Sequence, residues 1–143
     1  MFETVVVGAD GSATAAEAVR VATGLVKLTG GRLHIVTAYK PQQLRSAAGE
    51  EFDKSLSTHD IAGSVLADLA SRARTGGVEV ETYQRPGDPA DAICEVATQV
   101  KADVIVVGNK GMTGVRRVLG SVPNSVAHQA PCAVLIAFTA DAG

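Results

Sequence analysis

The chain has only two cysteines, Cys94 and Cys132. They do not form a C-x-x-C pair and no histidine stands at ligand spacing from either. A disulfide framework and a structural zinc site are therefore not expected, and both thiols read as small buried hydrophobes. An excess of basic charge is also missing. Thirteen Lys and Arg face fifteen Asp and Glu, for a formal net charge of −2 and a pI near 5.9. That argues against nucleic-acid binding through a broad basic face. No apolar run reaches the roughly 18–20 residues of a membrane span, so no membrane partner is expected. The opening residues Met1-Phe2-Glu3-Thr4-Val5 carry neither a basic region nor a cleavable apolar segment, and the expected location is cytoplasmic. Internal repeats, linkers and low-complexity tracts are lacking too.

What remains is 143 residues, 46% hydrophobic and 20% charged, the make-up of one globular domain spanning 1–143. Thr4-Val5-Val6-Val7 is a continuous β-branched run and predicts a buried strand over Glu3 to Gly8. A helical pattern follows from about Ala13 to Thr29, capped by Ser12 or by a Thr14-x-x-Glu17 box and ended by Gly30-Gly31. Leu33 to Tyr39 predicts a second strand. Lys40 to Ser57 loses all periodicity and is expected as a flap, functional loop or disordered stretch. A helix is expected from Thr58 to Arg74. The alternating Val78 to Tyr83 predicts a half-exposed edge strand. Asp88-Pro89-Ala90-Asp91 is a helix start, and Asp103 to Val107 an apolar interior strand. Ser121 to Ala130 predicts a short helix, and Cys132 to Phe138 the last strand. Strands alternating with helices imply an α/β fold: an open five-stranded parallel sheet with helices on both faces, Rossmann-like.

In such sheets, ligands bind beyond the carboxyl ends of the strands, where the winding reverses. Two loops there stand out. One is Gly8-Ala9-Asp10-Gly11-Ser12. The other begins Gly108-Asn109-Lys110-Gly111-Met112-Thr113-Gly114 and continues to Gly120-Ser121. Glycine admits close backbone approach, and successive amides can form an anion nest. Gly120-Ser121 opens a helix, whose first amides and dipole favour a phosphate. The G-x-G-x-x-G fingerprint is absent after the first strand, and neither cluster is a P-loop.

The pattern Gly108-x-x-Gly111-x8-Gly120-Ser121 resembles the ATP-binding motif of universal stress proteins: G-x-x-G, nine residues, then G-[S/T]. Here the spacer, Met112 to Leu119, has eight residues. Val5 to Ser12 resembles that family's first strand and turn. Gly87-Asp88-Pro89 resembles its turn before the third helix. Val122-Pro123-Asn124-Ser125-Val126 and Pro131 to Ile136 resemble its last helix and strand. The resemblance covers essentially the whole chain.

It implies that Gly108, Gly111, Gly120, Ser121 and Val122 contact phosphates through backbone N–H groups, with help from the Ser121 hydroxyl. Asp10 would lie near the ribose and phosphates. Ala38 would read the adenine edge through its main chain, and Gly87 would line the ribose side. Ala9 and Asn109 complete the expected nucleotide-binding set. The implied ligand is ATP, with or without magnesium, in a homodimer joined through Ala133 to Phe138 and acting in a stress response. Some members of the family bind cyclic AMP, and Ala38-Tyr39-Lys40-Pro41 resembles theirs. A third reading is a nucleotide-free dimeric interaction module. Lys110, Arg116 and Arg117 are candidate phosphate contacts or solvated loop cations, while His34, His59 and His128 read as surface or packing residues. Efficient hydrolysis needs a base on the attacking water as well as donors for the phosphoryl charge. The sequence offers donors and no base. A binder, or at most a slow ATPase, is expected, with no catalytic or metal-ligating residue.

Overall fold

The structure is a computed structural model and describes residues 1–40, 43–45, 51–53, 55–109 and 119–139. Five strands, β1 (Thr4–Gly8), β2 (Arg32–Tyr39), β5 (Glu79–Pro86), β6 (Val104–Gly108) and β7 (Ala133–Ala137), form one parallel sheet in the order β5-β2-β1-β6-β7. Helices α1 (Ala13–Thr29) and α2 (Ser55–Thr75) pack on one face, and α3 (Pro89–Val100) and α4 (Ser121–Gln129) on the other. The chain winds outward from β1 to β2 and β5, then returns to the other side of β1 for β6 and β7. The reversal therefore falls between β1 and β6.

Side-chain alternation builds the two cores. Val5 and Val7 enter the α1/α2 core, and Val6 enters the α3/α4 core; all three are fully buried. That explains why this strand reads as an unbroken apolar run instead of an alternating one. β5 has only β2 as a neighbour in the described sheet, and Val80 is its one buried residue, so the expected edge strand is an edge strand.

Local chemistry sets the helix ends. Ser12, not Thr14, caps α1: its side chain accepts the Ala15 N–H at 3.1 Å. Gly30 closes that helix in the left-handed region at φ 73°. Asp88 caps α3 by accepting the Asp91 N–H, and Pro89 takes the first helical position, where a missing N–H costs nothing.

One expectation is corrected. The stretch Lys40 to Ser57 contains a short antiparallel hairpin, β3 (Gln43–Arg45) with β4 (Glu51–Asp53), paired Gln43 to Asp53, Leu44 to Phe52 and Arg45 to Glu51. Helix α2 also begins at Ser55, ahead of the expected Thr58. Three-residue strands are too short to display a period of two, and polar residues blur a helix start.

Candidate functional site

A cleft of about 310 Å³ opens at the carboxyl ends of β1 and β6, where the winding reverses. Its floor is apolar: Val36, Ala38, Ile93 and Val107 line it. Its mouth is built from backbone. Gly8, Ala9, Asp10 and Ser12 come from the turn after β1, and Gly108 and Asn109 from the end of β6. Gly120, Ser121 and Val122 form the start of α4. Ser12, Thr14 and Ala15 bring the N-terminus of α1 to the same opening, and Pro89 and Ile93 bring that of α3. Neither α1 nor α4 has an acidic residue in its first turn. Their partial positive charges therefore converge on the cleft unopposed by a first-turn carboxylate.

The turn after β1 is held at several points. The Ala9 N–H donates to the Val36 carbonyl at 2.9 Å, and the buried Thr37 hydroxyl donates to the Ala9 carbonyl at 2.6 Å. The Asp10 carboxylate accepts the Ser12 N–H at 2.9 Å, an Asx-type turn that leads into α1. Asp10 is the one carboxylate among the described residues lining the cleft.

The second loop is closed at its base. The Asn109 side-chain oxygen accepts the Gly120 N–H at 2.7 Å. Gly120 is thus committed within the protein, whereas the resemblance assigns its amide to a phosphate. Pro123 has no N–H. The first-turn amides of Ser121 and Val122 lack acceptors within α4, as in any α-helix, and they border the cleft.

Ala9, Asp10, Ala38, Gly108, Asn109, Gly120, Ser121 and Val122 are therefore brought to one cleft. Gly87 stands apart from its described lining. It has φ 114°, and its N–H donates to the Tyr39 carbonyl at 2.8 Å. Gly111, with Lys110, Gly114, Arg116 and Arg117, lies outside the described residues. Sequence reasoning missed Thr14 and Ile93 as cleft residues, since they carry only the pattern of their helices.

Among the other residues singled out above, His34 and the two cysteines pack within the fold. His34 is buried, and its Nδ1 is 2.9 Å from the Tyr83 hydroxyl, which donates to Glu81. Burial holds the His34 pKa below its usual value. Burial, and then Glu81, push the Tyr83 phenol up to about 12. Cys94 is buried and Cys132 half-buried. Both are free thiols whose pKa burial raises, which suits inert packing. Among the described residues no group of three or more His, Cys, Asp or Glu could hold a metal ion, and no helix is long and apolar enough to cross a membrane.

A parallel α/β sheet with an apolar cleft at its switch point, rimmed by helix N-termini, defines a class of α/β fold whose geometry can accommodate an anion carried on an apolar body. Within that class the chain belongs to the universal stress protein family, whose signature it matches over residues 1–137. It is 37% identical to the universal stress protein Rv1636 of Mycobacterium tuberculosis, over 96% of this chain and 97% of that one. It also superposes on a universal stress protein solved in complex with cAMP, with a TM-score of 0.75 and 34% identity, over 94% of this chain and 96% of the other. A universal stress protein from Archaeoglobus fulgidus, solved in complex with dAMP, matches at a TM-score of 0.68 and 26% identity over 95% and 98%.

Proposed function

We propose that this cleft binds an adenine nucleotide, with ATP as the first reading, and that a dimer presents the bound state to partners in a cytoplasmic stress response. The observation that carries this is the division of the cleft: an apolar floor for a base, and a mouth of backbone amides and helix N-termini for a phosphate. Ala38 suits main-chain recognition of the adenine edge, since it offers no polar side chain. In this reading Asp10 would lie near the sugar, and Ser121 and Val122 would supply the phosphate donors. A magnesium ion accompanying ATP would find one carboxylate among the described lining residues, Asp10. The exposed Ile136 and Phe138, at the β7 edge of the described sheet, favour association through β7.

Cyclic AMP is the second reading. Two observations favour it: the similar protein solved with cAMP, and the small number of first-turn amides, Ser121 and Val122, that remain at α4 once Gly120 is engaged. Two donors serve one phosphate more readily than three.

Isothermal titration with ATP, with and without magnesium, tests the proposal, and competition with cyclic AMP ranks the two ligands. Saturable heat with either supports it. Absence of heat at millimolar concentrations of both overturns it.

A further inference from the structure

We infer that Asn109 and Thr139 form a buried latch that sets the amides at the start of α4 for the phosphate, acting as positioning residues and not as ligand contacts. The inference rests on the nucleotide reading of the cleft and deepens it.

The β6–β7 ladder ends with Gly108 opposite Ala137. Beyond it a side chain takes over. The Thr139 hydroxyl accepts the Asn109 N–H at 3.2 Å and donates to the Asn109 carbonyl at 3.0 Å. Both main-chain groups of Asn109 are thereby held where the strand ladder has run out. Its side-chain oxygen is then aimed at Gly120, eleven residues further along, and accepts that amide at 2.7 Å. Asn109 is 1% exposed and Thr139 4%, so water competes poorly for these bonds. An ideal Cβ on Gly120 would stand 3.0 Å from the Asn109 oxygen, so a side chain at 120 would require that oxygen to give by a few tenths of an ångström. The chain leaves the sheet at Asn109 and enters α4 at Gly120. One side chain therefore fixes both ends of the phosphate loop, and with them the direction of the Ser121 and Val122 amides.

Thr139→Val keeps the shape and removes the hydroxyl, and Thr139→Ser restores it. Titration calorimetry of both variants, with ATP, cyclic AMP and phosphate-free adenosine, reads the effect, and amide hydrogen exchange at Gly120 reads the latch directly. Thr139→Val should weaken the nucleotide by about fivefold or more while leaving adenosine within about twofold, and Thr139→Ser should return to wild type. Gly120 should be protected in wild type and exchange faster in Thr139→Val and Asn109→Ala. Equal losses for adenosine and nucleotide, or unchanged nucleotide affinity in Thr139→Val, would overturn the latch. If wild type binds no adenine nucleotide, the functional reading fails by itself. The latch is then decided by exchange alone, with an unprotected wild-type Gly120 amide overturning it. That wild-type measurement stands even if a variant does not fold.

Discussion

Gly108 sits so close to Thr14 that a Cβ built on it would lie 2.9 Å from the Thr14 carbonyl oxygen and 3.2 Å from the Thr139 methyl. The glycine at the end of β6 thus lets the first turn of α1 close against the sheet, besides bordering the cleft. Gly108→Ala is expected to cost about 2 kcal/mol, because backbone must shift to admit the methyl. Urea denaturation followed by circular dichroism measures this. Gly8→Ala is the contrast: its Cβ would meet only the flexible end of Ile93, so a smaller loss is expected.

Ser121→Pro removes one amide from the mouth of the cleft with little strain. Proline is favoured at the first helical position, and Gly120, at φ −63° and ψ 168°, already has the extended backbone that a residue before proline needs. The helix should persist while nucleotide affinity falls about tenfold. Ser121→Ala, which loses only the hydroxyl, should bind more tightly than Ser121→Pro. Equal affinity for Ser121→Pro and wild type would remove α4 from the site.

His34 makes stability depend on pH. Its folded pKa lies below the usual 6.5, first through burial and then through Arg32, with Glu81 opposing. The unfolded chain therefore binds the proton more readily. The His34 contribution is present above about pH 6.5 and is lost as pH falls through the lower folded value. Unfolding midpoints measured between pH 7.5 and 5 should fall, and His34→Gln should flatten that fall. A profile unchanged by the substitution would refute the assignment.

Tyr83 offers an optical check of the same cluster. With two tyrosines and no tryptophan, the ultraviolet phenolate titration is uncluttered. One tyrosine should ionise only near pH 12. Glu81→Gln should lower that value without returning it fully to the ordinary range, since burial is the larger cause.

Phe138 is 54% exposed at the end of β7, beside the exposed Ile136. If a second copy covers this edge, Phe138→Asp should shift the protein to monomer in sedimentation velocity while its circular dichroism is unchanged. A wild-type protein that sediments as a monomer at all concentrations would remove the dimer from the proposal.

The parallel sheet, its edge strand at β5 and the glycine-bearing turns after β1 and β6 were legible because they depend on near neighbours in the chain: β-branched runs, helix caps and turn residues. The hairpin β3–β4 was not, since three-residue strands hold too little pattern. The bond between Asn109 and Gly120 was not either, although both residues belonged to the expected set. An amide's partner eleven residues away is a matter of where two element ends meet.

The sequence by itself determined the five strands of the sheet, the four helices and that two glycine-bearing turns lie at strand ends, because periodicity, capping and steric freedom are local properties. Only the tertiary structure decided that the helix ends of α1 and α4 share one cleft with an apolar floor, that Gly87 stands away from its described lining, and that the Gly120 amide is spent on Asn109. Those outcomes follow from packing two helix layers on a twisted sheet, which brings together groups that no spacing along the chain relates.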